Sequence, residues 1–182
     1  MERTFLTKSE FRGAVRAQIR SLSPSERATA AMNITRQVEC DARFIAAQTV
    51  AVFMPLGDEP PIREAVERWA AEKRIVVPRI EGNQMRFFDF CAEQMASGAF
   101  GIEEPQSTAE CPPELIEVMV VPGVAFTAEG ARMGRGRGYY DRYLGVPAAA
   151  RIYKIGTCFA CQLVEQLIVE PHDVLMDRVV VG

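Results

Sequence analysis

Apolar positions along the chain fall into two rhythms. Near the N-terminus Phe11, Val15, Ile19 and Leu22 recur at helical spacing behind Thr7-Lys-Ser-Glu10, which has the form of a capping box. Ser23-Pro-Ser-Glu26 is a second such box with proline in the favoured first turn, so a second helix is expected to about Glu39. The rhythm then changes to short β-branched runs at residues 49–54, 75–77 and 118–121, closed by Pro55, Pro78 and Pro122. Between the first two runs, Pro61 opens a helix through Val66 and Trp69 to about Lys73. Residues 85–90 read as an edge strand, 98–113 as a loop, 139–144 as a helix, 151–159 as a strand, 163–167 as a short helix and 179–181 as a last strand. Apolar strands alternating with helices predict an α/β fold, three layers α/β/α around a mostly parallel, mixed sheet of Rossmann-like type. No repeat or linker divides residues 1–182, so one domain is expected. In such sheets ligands bind beyond the carboxyl ends of strands.

Composition narrows the function classes. A chain of 182 residues that is 48% hydrophobic and 25% charged is an ordinary globular protein. Its net charge of −3 argues against a general nucleic-acid or membrane binder. No apolar run is long enough to span a bilayer, and the charged N-terminus lacks the apolar stretch of a signal peptide, so a cytoplasmic location is expected. Five scattered cysteines then read as free thiols, and the Asn33-Ile34-Thr35 acceptor pattern has no use.

Against that acidic balance, the stretch GARMGRGRGYYDRYL, residues 130–144, is a local concentration of positive charge. Gly134, Gly136 and Gly138 let the backbone approach a ligand, and Arg132, Arg135 and Arg137 offer forks for phosphate oxygens. The stretch is neither a Walker A loop nor a dinucleotide fingerprint, so the residues alone indicate a phosphate-bearing ligand. Lys8, Arg12, Arg16 and Arg20, spaced by four, form one basic helix stripe. Spacing leaves Lys8 and Arg12 open between ligand and solvent and assigns Arg16 and Arg20 to a solvated face. Asp141, just past the loop, and Asp173, after His172, are carboxylates able to share Mg²⁺ with phosphates, although a surface role is the default for Asp173. Glu59, just past a strand end, is either a polar turn residue or an acceptor for an amine or pterin-like ring. Cys158-Phe-Ala-Cys161 lacks a second ligand pair for zinc, and small buried hydrophobes are the better reading.

The block VPGVAFTAEGARMGRGRGYYDRYL resembles the long motif of the 5-formyltetrahydrofolate cyclo-ligase family, Val-Pro-Gly, Phe, then Gly-x-Arg-hydrophobic-Gly-x-Gly-x-Gly-Tyr-Tyr-Asp. Lys8-x-x-x-Arg12, MPLGDE, VVPR, Gly101-Ile-Glu-Glu-Pro105, Ile155-Gly-x-x-Phe159, Gln162, Pro171-His-Asp173 and Met176-Asp177 fall in order around it, so the resemblance spans nearly the whole chain. It implies ATP-dependent closure of 5-formyltetrahydrofolate to 5,10-methenyltetrahydrofolate with Mg²⁺, by a monomer acting on small molecules. It implies ATP binding by Lys8, Arg12, Arg132, Met133, Gly134, Arg135, Gly136, Arg137, Gly138, Tyr139 and Tyr140. Folate would meet Met54, Glu59 and the segment from Arg135 to Tyr139; Arg135, Arg137 and Tyr139 would serve catalysis; Asp141 and Asp173 would hold Mg²⁺. Two positions depart from the pattern. Pro60, Pro61 and Ile62 follow Glu59 where the family carries Glu-x-x-Thr, and Thr127 stands where Asp is common. The competing readings are a small-molecule kinase using the same loop, a folate-related paralogue, and a non-enzymatic RNA-binding module built on the Arg-Gly run.

Overall fold

A computed structural model describes residues 7–98 and 101–182. Both expected capping boxes form. Thr7 accepts from Glu10 N and Glu10 reaches back to Thr7 N at the start of α1 (Lys8–Ser21), and Ser23 and Glu26 do the same for α2 (Pro24–Glu39). A short α3 (Ala42–Ala46), capped by Asp41, leads into β1 (Thr49–Val52). The helix expected from Pro61 begins two residues later as α4 (Arg63–Ala70). Ile62 occupies its N-cap with no side-chain cap, and is 1% exposed in the core. A buried apolar anchor behind two rigid prolines thus stands where the family pattern has a threonine.

The next strand, β2 (Arg74–Glu81), does not stop at Pro78. Phe90 N donates to Ile75 O, so by the alternation of an antiparallel ladder Val77 and Arg79 bond towards β3 (Gln84–Asp89). Pro78 faces the other side, where β1 no longer pairs, and its missing N–H costs no ladder bond. The stretch expected as a loop over 98–113 contains β5 (Glu103–Pro105), which pairs with β4 (Met95–Ser97), and β6 (Glu110–Cys111), which covers the outer edge of β3; residues 99 and 100 lie outside the described residues. Next come β7 (Val118–Pro122), the small hairpin β8 (Ala125–Phe126) and β9 (Arg132–Met133), α5 (Tyr139–Leu144), β10 (Tyr153–Cys158) and β11 (Arg178–Val181).

No helix forms over 163–167. The Gln162 side chain accepts from Phe159 N and donates to the carbonyls of Gly123 and Val124, and Val164 N donates to Phe126 O. These bonds hold the chain in a 3₁₀ turn (Ala160–Gln162) and then extended against β8.

The main sheet has seven strands in the order β11-β10-β7-β1-β2-β3-β6; the first five are parallel and the last two alternate. Every residue of β1 and β7 is buried, as expected for strands covered on both faces. Alternation divides the core. Val50, Val52, Val118 and Val120 pack against α2, α3 and α4, while Ala51, Met119 and Val121 face Leu144 of α5 and Ile152. The second outer layer is thinner than the first, built from α5 and loops. α1 lies across the end of the sheet, with Val15 and Ile19 packed on Val124 and Phe159.

Candidate active site

A cavity of about 790 Å³ opens at the carboxyl ends of β1, β2 and β7. The chain turns through it on the loop after β9, where Gly136 (φ 98°) and Gly138 (φ 66°) adopt left-handed backbone that other residues resist. Met133 and Gly134 enter the cavity ahead of them and Tyr139 and Tyr140 follow. The Tyr140 ring packs under the Arg132 guanidinium at 5.5 Å, and enclosure pushes its phenol well above the usual range. Arg142 lies over Tyr139 at 5.2 Å and donates to Arg137 O, which ties the start of α5 to the loop.

The helix stripe meets this loop from outside the sheet. Lys8, Arg12 and Arg16 all line the cavity, so the structure places the first two beside the loop rather than on a purely solvated face. Arg12 Nε donates to Gly134 O at 2.8 Å, and Lys8 Nζ pairs with Glu170 at 2.5 Å. The solvated reading of Arg16 is corrected. Its Nε is buried with no hydrogen-bond partner and stands 3.5 Å from Asp58 Oδ2. Arg20, one turn further, is exposed as expected.

Glu59, at 5% exposure, is no simple turn residue. Its Oε2 accepts Leu56 N at 2.9 Å and its Oε1 accepts Arg135 Nε and Nη2 at 3.1 and 2.9 Å. Desolvation raises the Glu59 pKa in spite of the arginine. Asp58 takes the other edge of the same guanidinium through Nη1 and Nη2; burial raises its pKa, the two Arg135 contacts outweigh that, and the net shift is downward. Burial also works against the Arg135 charge, and the two carboxylates hold it protonated. Met54 sits nearby, 3% exposed, just past β1. Asp58 carries no motif signal of its own; only its adjacency to Glu59 in MPLGDE could have drawn attention to it.

Asp141 and Asp173 both line the cavity. Asp141 is gripped by Arg132, and Asp173 accepts Glu170 N at 2.7 Å beside Glu170 and His172, whose ligand atoms and its own lie within 4.8 Å of one another. Two hard carboxylates lining one cavity fit Mg²⁺, which takes few protein ligands and fills its shell with phosphate and water. His172 lies exposed at the cavity, and its contacts are to carboxylates, with Nε2 3.2 Å from Glu170 Oε2. All five cysteines are free; Cys158 is buried, its thiol pushed up to about 12 by desolvation, which suits an inert core residue better than a redox centre.

A mostly parallel sheet with a glycine-arginine loop and a basic helix around one cleft defines an α/β protein built to hold an anionic ligand beside buried carboxylates. Comparison with known proteins makes the class specific: the chain belongs to the 5-formyltetrahydrofolate cyclo-ligase family, whose model matches residues 5–182. It is 28% identical over 173 residues to the 5-formyltetrahydrofolate cyclo-ligase of Escherichia coli K12, covering 91% of this chain and 95% of that one. It is 30% identical over 145 residues to the enzyme of that name from Mycolicibacterium smegmatis, covering 74% of each. Among solved structures, the 5,10-methenyltetrahydrofolate synthetase of Aquifex aeolicus superposes with a TM-score of 0.85 at 31% identity over 97% of this chain and 90% of that one. A Mycoplasma pneumoniae synthetase shares the fold at a TM-score of 0.78 and 23% identity, over 96% of this chain and 98% of that one.

Proposed function

We propose that this protein closes 5-formyltetrahydrofolate to 5,10-methenyltetrahydrofolate with hydrolysis of ATP to ADP and phosphate. The observation that carries the reading is Arg135. It stands in the glycine loop, yet its guanidinium lies on Glu59, so one residue joins the phosphate end of the cavity to the end suited to a heterocycle. Family membership supplies the substrate pair.

Phosphoryl transfer asks a protein mainly for positioning and charge stabilisation. The triphosphate lies along Arg132, Met133, Gly134, Arg135, Gly136, Arg137 and Gly138, with Lys8 and Arg12 closing over it from α1 and Tyr139 and Tyr140 walling the exit. The formyl oxygen attacks the γ-phosphorus and ADP leaves. N10 then attacks the activated formyl carbon, and loss of phosphate leaves the closed methenyl ring. Arg135, Arg137 and Tyr139 stabilise the transferring group, while Met54 and Glu59 hold the ring system. Asp141 and Asp173 would hold Mg²⁺, which when bound neutralises phosphate charge. For Arg135 to meet phosphate, one carboxylate must yield its edge, and Asp58, the less buried of the two, is the one to release it. On this reading the protein works as a single-domain monomer in the cytoplasm, on free small molecules rather than nucleic acid or membrane.

The test is to mix protein, Mg-ATP and 5-formyltetrahydrofolate and follow methenyltetrahydrofolate absorbance and ADP together. A one-for-one rise, absent without either substrate, is expected. ADP with a stable phosphorylated product, or without methenyl product, would transfer the site to the kinase reading.

A further inference from the structure

The same cavity is lined by a carboxylate that the reaction as described does not use. Glu104, on β5, is 8% exposed and lines the cavity. It has no ion-pair partner among the described residues. Its one hydrogen bond there is from Ile80 N to Oε1, at 3.1 Å. Gly98 forms its seat. A Cβ at position 98 would fall 2.3 Å from Glu104 Oε2, so any side chain there would push the carboxylate aside.

A buried carboxylate with no cation beside it is costly to keep unless something bonds to it. Around Glu104 the cavity is apolar, with Ile80, Met85 and Ile102 on its lining. The other buried acid of the cavity is already engaged. Glu59 receives three N–H groups, from Leu56 and Arg135, whereas Glu104 receives one of the roughly four its oxygens can accept. A flat ring bearing adjacent N–H donors satisfies both needs, since its faces match the apolar walls and its donor edge matches the carboxylate.

We infer that Glu104 is a specificity-determining residue for the heterocycle, accepting the 2-amino and N3–H donors of the pterin ring, alongside Met54 and Glu59, which hold the ring system. This rests on the folate reading above. Glu104 touches the substrate far from the reacting formyl group, so it governs which ring enters rather than the transfer itself.

Glu104→Gln is the informative change. The amide oxygen still accepts Ile80 N, so the β2–β5 contact survives, but the second oxygen becomes an N–H₂ that opposes the ring's donors. Two substrates are compared, 5-formyltetrahydrofolate and the analogue with methyl in place of the 2-amino group. Binding is read by calorimetry and turnover by methenyl absorbance. The wild type should lose about tenfold or more in affinity on going to the analogue, as for a hydrogen bond to a charged group. Glu104→Gln should lose that much on the natural substrate and show little further loss on the analogue, with the KM for ATP moving less than twofold. Gly98→Ala should follow the same pattern. A wild type that binds both ligands equally, or a Glu104→Gln that discriminates as the wild type does, overturns the inference. So does an equal loss for ATP and folate, which would mark Glu104 as structural. Calorimetric discrimination without any turnover would instead refute the cyclo-ligase reading and leave the ring site standing.

Discussion

Arg132 holds Asp141 through both carboxylate oxygens, each 2.9 Å from Nη2, on an arginine side chain that is only 4% exposed. The same guanidinium donates to Pro122 O at the end of β7. The carboxylate is therefore tied to the sheet before any ligand arrives, with lone pairs remaining for a second partner. A metal bound there would be held by a preset oxygen rather than a mobile one. Asp141→Asn keeps a hydrogen-bond acceptor for Arg132 and removes the charge. The free Mg²⁺ needed for half-maximal activity at fixed ATP is expected to rise at least about tenfold. An unchanged magnesium titration in a folded variant would show that Asp141 serves Arg132 alone.

Arg135 reaches both Asp58 and Glu59. Removing a charged group that meets the transferring phosphate costs on the order of a hundred- to a thousand-fold in kcat. Arg135→Ala should show that loss, and also leave a buried and a half-buried carboxylate side by side, so its melting temperature should fall. Arg135→Lys separates the effects. It restores charge without the fork, and should recover stability more fully than kcat. Wild-type kcat in either folded variant would remove Arg135 from the chemistry.

Much of this arrangement is legible in the sequence because it is local. The capping boxes at Thr7 and Ser23 read directly, since both partners lie three residues apart. The glycine loop reads directly because its cost makes sense only with a ligand. What sequence reading misses depends on distance along the chain. Asp58 and Arg135 are 77 residues apart, and Arg16 looks solvated until the cavity is seen to reach it. Glu104 lies inside the Gly101-Ile-Glu-Glu-Pro105 motif, yet its seat is set by Gly98 and Ile80 together. The false helix at 163–167 follows from the apolar residues Leu163, Val164 and Leu167, whose backbone is in fact claimed by β8 and the Gln162 side chain. The strand that passes Pro78 shows the converse, because a proline matters only on the side where a partner strand waits.

The two acids on Arg135 titrate in different directions. Burial raises Glu59, and Arg135 lowers Asp58. As pH falls from neutrality, Glu59 takes up its proton first, at a pH above the usual carboxylate value of about 4.3. Its protonation releases Arg135 Nε while Asp58 keeps its grip. The acid limb of kcat/KM for the folate substrate is therefore expected to sit above the ordinary carboxylate range and to disappear in Glu59→Gln. Should the limb persist unshifted in that variant, another group titrates there.

Asp41 gives a stability prediction away from the cavity. Its Oδ1 caps α3 through Arg43 N and Phe44 N, and its Oδ2 pairs with Arg178 of β11 at 2.5 Å, so one carboxylate ties the start of a helix to the last strand of the sheet. Burial pushes its pKa up, but Arg178 and the two amides pull harder, and the folded value lies below the usual one. A depressed carboxylate contributes stability above its unfolded pKa and loses it as pH falls through the folded value. Asp41→Ala removes cap and pair together and should cost about 2 kcal/mol at pH 7. Asp41→Asn can keep the cap while losing the charge, so it should cost about half as much. Urea melts at pH 7 and again below about pH 4 decide the matter, since the gap between wild type and Asp41→Asn should narrow at the lower pH. A gap independent of pH would mean that the contribution of Asp41 is the helix cap alone, and that the contact with Arg178 adds no charge-dependent stability.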